Sequence, residues 1–144
     1  MKSIALVAAL FLLPAGGALR GQERTAISLV KTGVDAYLKE GPAAALKAWI
    51  KGSPMEGNAE ALSQANILKQ IEELYGNFEG FDTISDITLS SRSHLIYFVL
   101  YYGRGTVYCN FETYKTKSGQ WILGEINFHT KSSKILPDSL RSPH

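Results

Sequence analysis

The run His94-Leu95-Ile96-Tyr97-Phe98-Val99-Leu100-Tyr101-Tyr102 constrains this chain more than any other stretch. It is apolar or aromatic at nearly every position. It therefore reads as a strand covered on both faces. The run lies within residues 81–130, where four β-like segments follow one another. Short turn signals separate them: Ser90 to Ser93, Gly103-Arg104 and Lys117-Ser118-Gly119-Gln120. Short connections between strands predict an antiparallel meander.

Those turns allow the strands to be paired. A tight hairpin with Ser118-Gly119 at its tip places Thr113 opposite Gly124, Glu112 opposite Glu125, Phe111 opposite Ile126 and Asn110 opposite Asn127. The same register sets Cys109 against Phe128 and Tyr108 against His129. A loop at Gly103-Arg104 puts Leu100 opposite Val107, Phe98 opposite Cys109 and Ile96 opposite Phe111, and one at Ser90 to Ser93 puts Ile87 opposite Ile96. Side chains alternate across a strand, so these registers sort the residues onto two faces. One face collects Ile87, Leu89, Ile96, Phe98, Leu100, Val107, Cys109, Phe111, Ile122, Ile126 and Phe128, which is a core surface. The other mixes aromatic and polar groups: Leu95, Tyr97, Val99, Tyr101, Tyr108, Asn110, Glu112, Tyr114, Trp121, Leu123, Glu125, Asn127 and His129. Ile84 falls out of step with Ile87 and Leu89, which predicts a bulge near Ser85-Asp86.

The preceding part of the chain is helical. Ile27, Val30, Val34 and Leu38 recur at helical spacing, with Gly33 an unfavourable residue in the middle. Gly41-Pro42 ends this helix and starts a short one, in which Leu46, Trp49 and Ile50 point to a core and which Gly52 closes. Asn58 is the expected N-cap of a third helix over 59–75, with Leu62, Ala65, Leu68, Ile71 and Tyr75 as its apolar stripe and Gly76 beyond its end. At helical spacing from Leu46, Trp49 reads as core rather than as a ligand-stacking residue.

At 144 residues, with 45% hydrophobic and 19% charged composition, the chain suits one domain with its own core. Lys2, the apolar run from Ile4 to Leu13, Pro14 and the small residues Ala15 to Ala18 have the layout of a secretory signal peptide. Ten or so apolar residues are too few to span a bilayer. The expected organisation is a signal peptide over 1–18, a domain over 19–134 and a C-terminal tail over 135–144. A lone cysteine, Cys109, excludes an internal disulfide, and no Asn-x-Ser/Thr acceptor occurs. These features suit a bacterial periplasm or the surrounding medium. A net charge of +2, with Lys115, Lys117, Lys131 and Lys134 near one end, is too sparse a basic stripe for nucleic acid.

Three helices followed by a four-stranded antiparallel meander, with Ala59–Tyr75 leading into Gly80-Phe81-Asp82, resemble the nuclear-transport-factor-2-like, or cystatin-like, α+β cone. The resemblance lies in element order over most of the mature chain. It implies a curved sheet with a cavity under the helices, able to hold a small hydrophobic ligand, and often a homodimer packed through the sheet's other face. The enzymes of that superfamily aim carboxylates or Asp/His networks into the cone. Here the cone face is almost wholly apolar, with only His94 at its edge, so no catalytic set carries over.

The remaining constellations lie on the mixed face. Facing Glu112 and Glu125 form either a carboxylate pair for acid–base chemistry or two exposed glutamates relieved by Lys115 or a partner's arginine. Asn110 and Asn127 face one another and can hydrogen-bond or orient a ligand. His129 sits roughly 13 Å along the strand from Glu125, which excludes a shared metal. Cys109 faces the helices with no histidine to activate it. The reading adopted is a non-enzymatic binding domain that needs no cofactor or metal. It dimerises through Tyr97, Tyr101, Tyr108, Asn110, Glu112, Trp121, Glu125, Asn127 and His129. The alternative is a small-molecule binder or isomerase- or hydrolase-like enzyme with its site in the cone.

Overall fold

The computed structural model describes residues 25–142, so the expected signal peptide and its cleavage site near Gly17 or Ala18 lie outside the described residues. Three helices precede a four-stranded antiparallel sheet of order β1-β2-β3-β4. The helices are α1 (Ala26–Glu40), α2 (Pro42–Ile50) and α3 (Ala59–Tyr75). The strands are β1 (Phe78–Ser90), β2 (Ser93–Tyr102), β3 (Gly105–Lys115) and β4 (Trp121–His129). This is the α+β meander expected from the sequence. Residues 132–141 add a short 3-10 turn and a one-turn helix, Asp138–Arg141. Leu136, within the segment read as a tail, is buried but stands apart from the main core cluster. Among the described residues no helix is long and apolar enough to cross a membrane.

Local chemistry places the helices. Asn58 Oδ1 accepts from the backbone N–H of Glu60 and Ala61 at 2.8 and 3.2 Å, the N-cap that starts α3. Gly41 and Gly76, at φ +93° and +89°, end α1 and α3 in backbone that other residues rarely adopt. The apolar stripe of α1 departs from expectation at one residue. Tyr37 is buried and Leu38 lies 55% exposed, because the helix turns Tyr37 toward Phe78 and Tyr102.

The core forms where the helices meet β2 and β3. Ile96, Phe98, Leu100, Val107, Cys109 and Phe111 are fully buried, together with Trp49, Leu46 and Leu68. Trp49 packs edge-on against Phe111, at 5.3 Å between centroids, and donates through Nε1 to the Val30 carbonyl at 3.1 Å. Gly33 makes this approach possible, since a Cβ there would lie 2.0 Å from Trp49 Nε1.

Register decides which side chains reach this core. The β2–β3 pairs agree with expectation throughout, from Tyr102 opposite Gly105 to Ile96 opposite Phe111. Between β3 and β4 the expected pairs hold from Tyr108–His129 to Glu112–Glu125, but Thr113 faces Leu123 instead of Gly124. The reason is a pair of compensating irregularities. Thr116 N donates to Gln120 O, so the hairpin loop holds three residues, 117–119, with Gly119 at φ +87°. Gly124 then bulges out and absorbs the extra residue. As a result Leu123 is fully buried with the core and Trp121 packs against it, whereas Ile122 lies on the opposite face with Tyr114.

A similar correction applies to β1. Ser90 pairs with Ser93 as the two-residue turn requires, but register shifts leave out Leu89, Ile84 and Glu79. Ile87 therefore faces Leu95, not Ile96. Ile87 and Leu89, expected in the core, are 38% and 57% exposed. The expected bulge exists one residue earlier, at Ile84.

Candidate functional site

On the sheet face turned away from the helices, the pairings set out four rows. Tyr101 faces Thr106, Val99 faces Tyr108 and then His129, Tyr97 faces Asn110 and then Asn127, and Leu95 faces Glu112 and then Glu125. Aromatic and aliphatic groups thus line β2, whereas β3 and β4 mix polar groups with Tyr108, Tyr114 and Ile122. Asn127 Nδ2 donates to Asn110 Oδ1 at 2.9 Å and to Glu125 Oε1 at 2.8 Å, which links three of the expected site residues. Glu112 and Glu125 are exposed side by side. His129 is committed locally, its Nδ1 accepting from the Lys131 N–H at 2.9 Å. Tyr101 is half-exposed and donates through its hydroxyl to Asp82 Oδ2 at 2.8 Å, which holds its pKa above the ordinary phenol range. Tyr97 and Val99 are buried here although they stand outside the main core cluster.

Trp121 does not belong to this face. The Gly124 bulge turns its ring to the helix side, where it meets His94 edge-on at 5.0 Å between centroids. His94 Nδ1 lies 2.6 Å from Asp86 Oδ1, both side chains being partly exposed. The pairing explains the contact. His94 faces Thr88 and Asp86 faces Ile96, so the two are diagonal neighbours on the helix-facing surface. Beside Trp121, between the start of α1, the end of α2 and the start of β4, is a cavity of about 220 Å³. Leu29, Ala48 and Trp121 form its apolar wall, and Thr25, Ser28, Thr32, Lys51 and Gln120 its polar rim.

No protein family, curated protein or solved structure matches this chain.

Function is therefore read from the geometry of the chain's own residues. Sequence reasoning placed His94 at the edge of the core face but missed Asp86 as its partner. Nothing in the strand pattern signalled it: the unpaired Leu89, between Thr88 and Ser90, is what moves Asp86 opposite Ile96 and beside His94. At the other end of the core, Tyr37 Oη and Tyr102 Oη are 3.1 Å apart, with Glu72 Oε2 3.5 Å from Tyr37. Burial pushes both phenols well above their ordinary range, so both stay neutral. Burial likewise raises the Cys109 thiol, whose Sγ points to the Val107 carbonyl at 3.9 Å, and a protonated, enclosed thiol is a poor nucleophile. Among the described residues no three His, Cys, Asp or Glu side chains converge as a metal site would require.

Proposed function

We propose that this chain is an exported, non-enzymatic binding domain that works through the sheet face turned away from its helices. The observation that carries this reading is the division of side chains between the two faces. On the helix side the centre of the space under β2 and β3 is filled by Trp49, Phe98, Phe111, Leu46 and Ile50, all essentially inaccessible. A reaction site in a cone requires room and inward polar groups there. The opposite face offers tyrosines along β2 beside the linked Asn110, Asn127 and Glu125. Aromatics with polar tips, next to hydrogen-bonding groups, are what protein interfaces use. The element order supports membership of the nuclear-transport-factor-2-like architecture, and the layout of residues 1–18 supports export by a cleaved signal peptide.

The partner in this reading is a second copy of the chain, packed through Tyr97, Tyr101, Tyr108, Asn110, Glu112, Glu125 and Asn127. Trp121 is excluded from that interface by its position on the helix side. Light scattering of the mature chain at micromolar concentration tests it. A dimer that Tyr101→Arg converts to a monomer is the expected result, because Tyr101 is half-exposed and its loss leaves the core untouched. A wild-type monomer at that concentration sinks the reading.

A further inference from the structure

We propose that the cavity beside Trp121 is a binding site for a small monocyclic carboxylate of the benzoate class. The argument is independent of the oligomer. The cavity measures about 220 Å³, and an apolar cavity of about 150 Å³ is enough to hold benzene. One ring with one small polar substituent therefore matches the space. The indole of Trp121 offers an aromatic wall, and Leu29 and Ala48 extend it.

Charge selects the substituent. Among the described residues, Lys51 is the only charged side chain lining the cavity, and no carboxylate among them lines it. Among the described residues Lys51 forms no ion pair. The nearest acid in sequence, Glu56, is turned to the backbone, accepting from the Gly52 N–H at 2.8 Å. The hydroxyls on the rim are mostly engaged with one another: Thr25 with Ser28, and Thr32 with the Ser28 carbonyl. Lys51 thus remains as the group that would select a ligand anion. The adjacent Gln120 carboxamide is seated close to Gly52, where a Cβ would approach its Nε2 to 2.9 Å.

The backbone also bears on the site. The three-residue loop and the Gly124 bulge are the two features that bring Trp121 to this side of the sheet. Bulges are frequent next to binding sites because they re-aim a side chain without changing the rest of the ladder.

Titrating the mature protein with benzoate, followed by tryptophan emission and by amide shifts, tests the site. Benzamide, its neutral isostere, serves as the comparison. Benzoate binds with millimolar affinity or better and benzamide about tenfold more weakly, as expected when a charge-assisted contact is lost. Lys51→Gln weakens benzoate about tenfold and leaves benzamide unchanged. Lys47→Gln, one turn earlier in α2 and outside the cavity, changes neither. No binding at millimolar benzoate overturns the proposal. So does equal affinity for the two probes, or a loss with Lys47→Gln as large as with Lys51→Gln.

Discussion

Gly33 shows how much a single missing side chain can determine. It lies in the middle of α1, where glycine is less favourable than alanine by about 1 kcal/mol. It is tolerated because the Trp49 indole occupies the space a Cβ would need. Gly33→Ala therefore lowers stability in spite of its better helix preference. Overpacking of this kind costs about 1–3 kcal/mol, and urea denaturation should show a lower midpoint. The position of Trp49 was legible from its spacing to Leu46. The reason for Gly33 was not, because its partner comes from a different helix. The buried tyrosines give a second expectation. Tyr37 and Tyr102 have phenol pKa values raised by burial, so the native state keeps protons that the unfolded chain releases above about pH 10. Their contribution is fully present below that pH and is lost as pH rises beyond it. Alkaline titration should show two tyrosines ionising only as the protein unfolds. Ionisation of all tyrosines in one early step would contradict it.

Among the elements, helix boundaries were the most legible part of this chain. Asn58, Gly41-Pro42 and Gly76 each act within one turn of their own position, so local chemistry suffices. The β2–β3 ladder was legible for the same reason, since a two-residue turn fixes it. Of the two flanking ladders, β3–β4 was legible only from Tyr108–His129 to Glu112–Glu125, and β1–β2 was not. In each, a one-residue irregularity shifts every later side chain to the other face, and that choice is made by tertiary packing. Trp121, Leu123 and Ile87 all changed sides on this account. The β4 bulge makes a specific prediction. Because Glu112 pairs with Glu125 and Thr113 with Leu123, deleting Gly124 joins two runs already in register. The deletion variant should remain folded, with Trp121 still facing His94 and a melting temperature lowered by only a few degrees. A ladder without the bulge would instead swap Trp121 and Leu123 between faces on deletion, and a collapse of stability would favour that arrangement.

At the scale of the whole molecule, β1 and β4 are the edge strands of the sheet among the described residues, and β1 is the longer of them. Its three register shifts and the acids Asp82 and Asp86 interrupt what would otherwise be a straight template for another strand. Dimerisation through the face is therefore compatible with edges that discourage pairing. Accessibility to the core can be measured directly. Cys109 is fully buried between sheet and helices, so a thiol reagent should modify the native protein only at the rate of opening. Rapid labelling under native conditions would mean that the helical layer is loose.

The Gly33 notch and the Gly124 bulge together give the protein two separate optical reporters. The chain has two tryptophans. Trp49 is sealed in the core with its indole N–H bonded to Val30, whereas Trp121 borders an open cavity. In a Trp121→Phe variant, the remaining emission should be blue, rigid and sensitive only to global unfolding. The difference between that spectrum and the wild type then isolates what happens beside Lys51, so folding and ligand entry can be followed separately in one sample.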